Sequence, residues 1–316
     1  MLEYVMLVAG LAILVKGADF LVDGSSSLAK KVGVSTLVIG LTIVAFGTSM
    51  PELVVNIAAA LQGADDVSIG NIIGSSIANI LLILGISAVI FNLKVQQSTI
   101  WREIPLALLA ALALLASYAK IYTDSVAPVL LRSEGILFLL FFVIFLIYVL
   151  TLAKNSKANN EAIKTFSNAR TAVMIIGGLM ALFVGGRWTV EGAIYVARAA
   201  GLSDYFISAT IVAVGTSLPE LVTSIVAAFK KNFDLSIGNI VGSNIFNIFF
   251  ILGITALISP VQFIASAGAD LILLVFSTAL LFAFMLIGRK HELQRWQGVV
   301  FLMCYAGYVY MLVIRG

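Results

Sequence analysis

One phrase occurs twice in this chain, 168 residues apart. Gly47-Thr48-Ser49-Met50-Pro51-Glu52 returns as Gly215-Thr216-Ser217-Leu218-Pro219-Glu220. A second phrase follows at the same offset: Gly70-Asn71-Ile72-Ile73-Gly74-Ser75-Ser76-Ile77-Ala78-Asn79 returns as Gly238-Asn239-Ile240-Val241-Gly242-Ser243-Asn244-Ile245-Phe246-Asn247. A constant offset means two halves that share one architecture. Each copy sets a carboxylate and several small oxygen-bearing side chains within apolar sequence, so function is sought there.

The surroundings of the repeat decide the solvent. Hydrophobic residues make up 61% of the chain and charged residues 11%, with mean hydropathy +1.10. A water-facing surface needs more charge than this, so most of the surface faces lipid. The uncharged runs 33–51, 67–93 and 271–288 reach or pass the spanning length of roughly 18–20 residues. The run 235–269 is broken by Pro260 and reads as one span plus a loop. The start, Met-Leu-Glu, has no basic region and no small-residue cleavage site follows it, so it reads as a retained span. The single cysteine, Cys304, excludes an internal disulfide and a thiolate cluster, and the one histidine, His291, lies in a charged loop. Nothing points to nucleic acid or to an obligatory protein partner.

Apolar stretches fall at about 2–22, 34–61, 68–91, 103–119, 131–153, 170–200, 204–229, 236–259, 268–288 and 296–314, which makes ten spans. Orientation follows from Lys and Arg. With the N-terminus outside, the cytoplasmic loops receive Lys30, Lys31, Lys94, Arg102, Lys154, Lys157, Lys164, Arg170, Lys230, Lys231, Arg289, Lys290 and Arg295. The exterior keeps Lys120, Arg132, Arg198 and Arg315. Thirteen against four places both termini outside and the linker 154–169 in the cytoplasm. The expected protein is multi-pass in the cell (plasma or inner) membrane.

Five spans per half is an odd number, so the second half enters the membrane upside down. Equivalent loops then carry opposite charge bias, and they do: Gln62-Gly63-Ala64-Asp65-Asp66 corresponds to Lys230-Lys231-Asn232-Phe233-Asp234. The expected fold is an all-α polytopic membrane protein, ten transmembrane helices arranged as two inverted-topology five-helix repeats. The first repeat is 1–153 with its motif at 40–80; the second is 170–316 with its motif at 208–248. Such repeats characterise alternating-access transporters, with the site at the repeat interface near the bilayer midplane.

In a helix, Thr48, Ser49 and Glu52 share a face. Pro51 removes a backbone hydrogen bond and bends the helix near Gly47, freeing carbonyls that lipid does not tolerate unless they line a cavity. Thr216, Ser217, Pro219 and Glu220 repeat the arrangement. Asn71, Ser75 and Asn79 form an i, i+4, i+8 stripe, repeated by Asn239, Ser243 and Asn247. Together the halves offer carboxylates, hydroxyls, amides and carbonyls without nitrogen or sulfur donors, a set for hard cations such as Ca²⁺ and not for zinc or copper. Two carboxylates neutralise one Ca²⁺ or two Na⁺. An ionised empty site resists crossing the membrane interior, so ions that compete for the same oxygens exchange obligatorily. Protons are expected to compete as well.

These residues resemble the two α-repeats of the sodium/calcium exchanger family, within the cation/calcium exchanger superfamily. The likeness rests on G-T-S-x-P-E and G-N-x-x-G-S-x-x-x-N, each present twice. The resemblance implies ten helices, four ion sites between helices 2, 3, 7 and 8, exchange of about three Na⁺ for one Ca²⁺, and sliding of helices 1 and 6 as the gate. It implies calcium ligands at Glu52 and Glu220 with carbonyls near Thr48 and Thr216. The sodium sites would add the carbonyls of Ala45 and Ala213 with Ser49, Ser217, Ser75, Ser243, Asn79 and Asn247. Some members, including potassium-dependent ones, carry Asp at the position of Asn247, so Asn here points to the potassium-independent branch. Met50 departs neutrally from the usual leucine.

Plainer readings stand beside these. A membrane Ser or Thr commonly bonds a carbonyl of its own preceding turn. Asn71 and Asn239 read first as caps or helix cross-links, and the small-residue stripe Gly70, Gly74 and Ala78 as packing. Lys16 and Asp19 are three apart and can neutralise one another. The expected function is secondary antiport of Na⁺ against Ca²⁺, with a Ca²⁺/H⁺ exchanger using the same glutamates as the alternative. A channel would need no counter-ion, and filters usually arise from rings of subunits. No H-E-x-x-H and no phosphate-binding loop is present, so an enzyme is not expected.

Overall fold

Backbone amides inside a hydrocarbon layer must find partners within the chain, and uncharged runs of this length do so as helices. The computed structural model describes residues 2–119, 129–155, 164–201, 213–263, 267–289 and 291–315. In chain order the helices are α1 (Leu2–Val32), α2 (Thr36–Thr48), α3 (Met50–Gln62), α4 (Asp65–Ile90), α5 (Thr99–Ala119) and α6 (Arg132–Asn155). Then come α7 (Asn168–Ala199), α8 (Ala213–Gly215), α9 (Leu218–Phe229), α10 (Phe233–Ile258), α11 (Ala267–Leu286) and α12 (Arg295–Arg315). Among the described residues eight helices are long and apolar enough to cross a membrane, and α2 with α3, bent by 45°, makes a ninth. The expected span 204–229 begins at residues outside the described set and is seen here as α8 and α9. Of the linker 154–169, residues 156–163 also lie outside it; the chain re-enters at 164 and α7 is capped by Ser167, whose hydroxyl accepts the Arg170 amide at 3.3 Å.

The fold is layered by burial. α4 and α10 run through the middle; every residue of α10 from Leu235 to Ile245 is buried. α6 and α12 lie outside, and α6 shows Ile136, Leu140, Ile144 and Ile147 on its exposed side, the face a lipid-exposed span presents. An aromatic wedge joins the layers: Phe142 meets Phe246 at 4.8 Å between ring centres and Phe46 meets Phe246 at 5.7 Å.

The two longest helices, α1 and α7, pack antiparallel along glycines. Gly10, Gly17 and Gly24 of α1 and Gly178, Gly185 and Gly192 of α7, each set spaced by seven residues, lie on the contact: Gly10 faces Gly185, Gly17 faces Gly178, Gly24 lies against Met174 and Ile175, and Gly192 against Glu3 and Leu7. A Cβ at Gly185 would lie 2.7 Å from the Leu14 amide nitrogen, and one at Gly178 would lie 2.8 Å from the Gly17 carbonyl oxygen. Only glycine permits this backbone approach.

Among the described residues, four two-residue strands pair as two short ladders. β1 (Leu93–Lys94) pairs antiparallel with β4 (Glu292–Leu293), and β2 (Val129–Leu130) with β3 (Val261–Gln262). Each ladder takes one strand from before the linker and one from after it, so both ladders bind the halves together. The pairing of Lys16 with Asp19 is replaced by a longer-range one. Lys230, just past α9, bonds Asp19 at 2.6 Å and Asp23 at 2.5 Å on α1, because the α9 turn is packed beside that helix.

Candidate functional site

The two bends are built alike. Pro51 and Pro219 sit in the first turn of α3 and α9. Neither can donate an amide hydrogen, so the Gly47 and Gly215 carbonyls four residues earlier lose their helical donor. The chain turns at Ser49 (φ −84°, ψ 7°) and Ser217 (φ −85°, ψ 5°), just after the Gly47 expected for the bend. Glu52 and Glu220 then fall in a helix's first turn, where free amides and the helix dipole favour negative charge. Both carboxylates are 1% exposed.

Hydrogen bonds cross between the halves at this point. Ser49 Oγ donates to Glu220 Oε1 at 2.9 Å, and Ser243 Oγ approaches the same oxygen at 3.5 Å. Ser75 Oγ donates to Glu52 Oε1 at 3.2 Å and lies 3.4 Å from Thr216 Oγ1. Thr48 donates to Asn239 Oδ1 and Thr216 to Asn71 Oδ1, both at 3.1 Å. Asn239 is held in turn by its amide nitrogen on Ser224 Oγ at 3.0 Å. Among the described residues neither glutamate makes an ion pair with lysine or arginine.

The expected donors therefore converge. Ser49 and Ser243 meet at Glu220, Ser75 joins Glu52 to Thr216, and Thr48 bonds Asn239, while Ser217, Asn79 and Asn247 are buried on the same elements. Asn79 and Asn247 each lie in a widened turn of π-helix, Ala78–Leu84 and Phe246–Leu252, a feature common at functional sites. The Ala45 carbonyl already accepts the Ser49 amide at 3.0 Å and Thr48 Oγ1 at 3.4 Å. Ala213 opens α8.

Five oxygens of this set are buried and lack a hydrogen-bond partner: Glu52 Oε2, Glu220 Oε2, Ser217 Oγ, Asn79 Oδ1 and Asn247 Oδ1. Two of the pairs, Glu52 with Glu220 and Asn79 with Asn247, match across the repeat. Unpartnered buried acceptors are costly, and a bound hard cation would offset that cost. Among the described residues no group of three or more His, Cys, Asp or Glu gathers anywhere, so the two glutamates carry the formal charge of this cluster and neutral oxygens do the rest.

Motif reading undervalued the asparagines. Asn71 and Asn239 cross-link helices, as the plainer reading has it, but what they hold is the threonine pair of the motif. Asn244 was not singled out because the first half has Ser76 there, and a search for matched positions passes over it. It bonds Asn79 across the halves at 2.8 Å.

Fold and cluster define the class: a multi-pass helical membrane protein with two matched carboxylates buried among oxygen donors at its centre. The sequence matches the family described as Sodium/calcium exchanger protein over residues 2–151 and 170–314. It is 38% identical to CaxA of Alkalimonas amylolytica over 318 residues, 98% of each chain. It is 33% identical to the sodium/calcium exchanger MaX1 of Methanosarcina acetivorans over 350 residues, again 98% of each. The solved structure of the sodium-calcium exchanger NCX_Mj soaked with 2.5 mM Na⁺ and 0.1 mM Ca²⁺ superposes with a TM-score of 0.82 at 33% identity, covering 98% of both chains. The chain belongs to the sodium/calcium exchanger family.

Proposed function

We propose that this protein is a secondary antiporter that exchanges Na⁺ for Ca²⁺ by alternating access, with Glu52 and Glu220 as the charged ligands. One observation carries the reading: two buried glutamates, one from each half, each meet the other half through a hydroxyl, Glu220 directly by Ser49 and Glu52 by way of Ser75, which lies beside Thr216, and each keeps one oxygen without a partner. Around them Thr48, Thr216, Ser49, Ser217, Ser75, Ser243, Asn79, Asn247 and the Ala45 and Ala213 carbonyls supply neutral oxygens. Two negative charges balance one Ca²⁺ or two Na⁺. With neither bound, the uncompensated charge in the membrane interior blocks reorientation, so the ions trade places and neither leaks. The excess of Lys and Arg in alternate loops supports an orientation with both termini outside and the linker 154–169 in the cytoplasm.

The test is ⁴⁵Ca uptake into proteoliposomes at fixed pH. An outward sodium gradient is expected to drive uptake. Uptake indifferent to sodium but responsive to a pH step would replace Na⁺ by H⁺ as the driving ion, and flux that persists with no counter-ion would replace the antiporter by a channel.

A further inference from the structure

We propose that Asn244 is a positioning residue: it holds the side-chain amide of Asn79 so that a bound cation meets the oxygen and not the NH₂ group. This rests on the reading of Glu52, Glu220 and their neighbours as a cation site.

The argument is one of hydrogen-bond polarity. An asparagine amide has an acceptor end and a donor end, and swapping them costs nothing until a neighbour distinguishes the two. Here the distinction starts at the backbone. The Ser76 carbonyl can only accept, and it lies 3.2 Å from Asn244 Nδ2. That contact turns Asn244 Oδ1 the other way, where it accepts from Asn79 Nδ2 at 2.8 Å. With its nitrogen taken, Asn79 has its Oδ1 left over, buried and without a partner. A carbonyl in α4 thus dictates, through an amide in α10, which atom Asn79 offers. Asn79 is 1% exposed and Asn244 2%, so no solvent competes for these contacts.

The repeat provides the contrast. Asn247 matches Asn79, and its Oδ1 is also buried and unpartnered. The position that would have to repeat the relay holds Ser76, whose hydroxyl is short and makes no hydrogen bond. The two asparagines are equivalent in sequence, yet among the described residues only Asn79 has its amide held by a side chain of the opposite half. Asn79 is thus the committed oxygen donor of the pair.

Ion-induced shifts in melting temperature, measured on the purified full-length protein in detergent, give the half-saturating Na⁺ and Ca²⁺ concentrations. The variants are Asn79→Ala, Asn244→Ser and the double substitution, each referred to its own ion-free melt. Asn244→Ser introduces the residue that the other half carries at the matching position; Asn244→Ala serves if that protein does not fold. Residues that orient a metal ligand typically contribute tenfold or more in affinity, so Asn244→Ser is expected to raise the half-saturating concentration of at least one ion roughly tenfold. In the Asn79→Ala background it is expected to add nothing, because Asn244 acts through Asn79. Losses that multiply in the double variant, or no loss with Asn244→Ser while Asn79→Ala weakens binding, would overturn the relay and leave the donor set standing. No loss with Asn79→Ala would remove Asn79 from the donor set and the relay with it.

Discussion

Two helix pairs relate the halves of this protein, and they are built on opposite rules. α4 and α10 cross the buried centre and meet through side-chain hydrogen bonds such as Asn79 to Asn244. α1 and α7 meet along glycine faces, with side-chain hydrogen bonds at one end, where Ser27 and Lys31 meet Thr171 and Asn168, and neither helix supplies any of the expected ion donors. Hydrogen bonds are directional and hold one register. Glycine faces have no such preference, so a pair built on them can shift against its surroundings as a unit while staying closely packed. Such a seam suits the sliding of the first and sixth spans that the family resemblance implies. Ties reach α1 from the second half in two forms: Lys230 holds Asp19 and Asp23, and Asn232, which caps α10, donates to Ser26 at 2.9 Å.

The largest effect is expected at the centre. Glu52→Gln and Glu220→Gln should each abolish exchange in the vesicle assay while the purified protein still melts cooperatively. Retained calcium transport in either would take that glutamate out of the mechanism. Next in size is the glycine face. Gly185→Ala places a methyl 2.7 Å from a backbone nitrogen and is expected to destabilise by about 1–3 kcal/mol, as overpacking does. Its neighbour Gly186 has its nearest atom 3.9 Å away, so Gly186→Ala should leave the melt almost unmoved. Equal melts for the two would mean that the close approach of α1 and α7 is not what stabilises the pair.

Asn247→Asp adds a third negative charge beside two, and a change in Na⁺ against Ca²⁺ preference or in the pH dependence of exchange is expected. Unchanged competition curves would count against a role for that position. The smallest effect is expected at the ionic tie. The groups of the Lys230 cluster are about a third exposed, and partly exposed pairs contribute roughly 0–1 kcal/mol. Lys230→Gln should lower the melt slightly and leave ion half-saturation alone. A large loss of ion affinity would mean that the glycine-faced pair is coupled to the site more tightly than the geometry indicates.

Much of the centre was legible beforehand because its residues come in matched copies. Glu52 and Glu220, the serines and threonines before them, and the bends at Pro51 and Pro219 all follow from the repeated phrase. The glycines of α1 and α7 also recur at the 168-residue offset, but they lie outside the motif and read as ordinary apolar sequence until their backbones were seen in contact. Asn244 was illegible for the converse reason: it breaks the match, since its counterpart is Ser76. The ion pair of Asp19 was misjudged because a neighbour three residues away looks sufficient when the fold that brings Lys230 to it is unknown.

Hydropathy and the repeat, taken alone, determined a polytopic helical protein with two related halves and an acid from each near its middle. They do so because lipid leaves the backbone few alternatives to helix and because copied sequence folds alike. Tertiary structure alone decided which hydroxyl reaches which carboxylate across the halves, which asparagine has its amide nitrogen held by Asn244, and which aspartates Lys230 holds. Those choices depend on partners more than a hundred residues away, and a hydrogen bond takes its direction from the partner it finds.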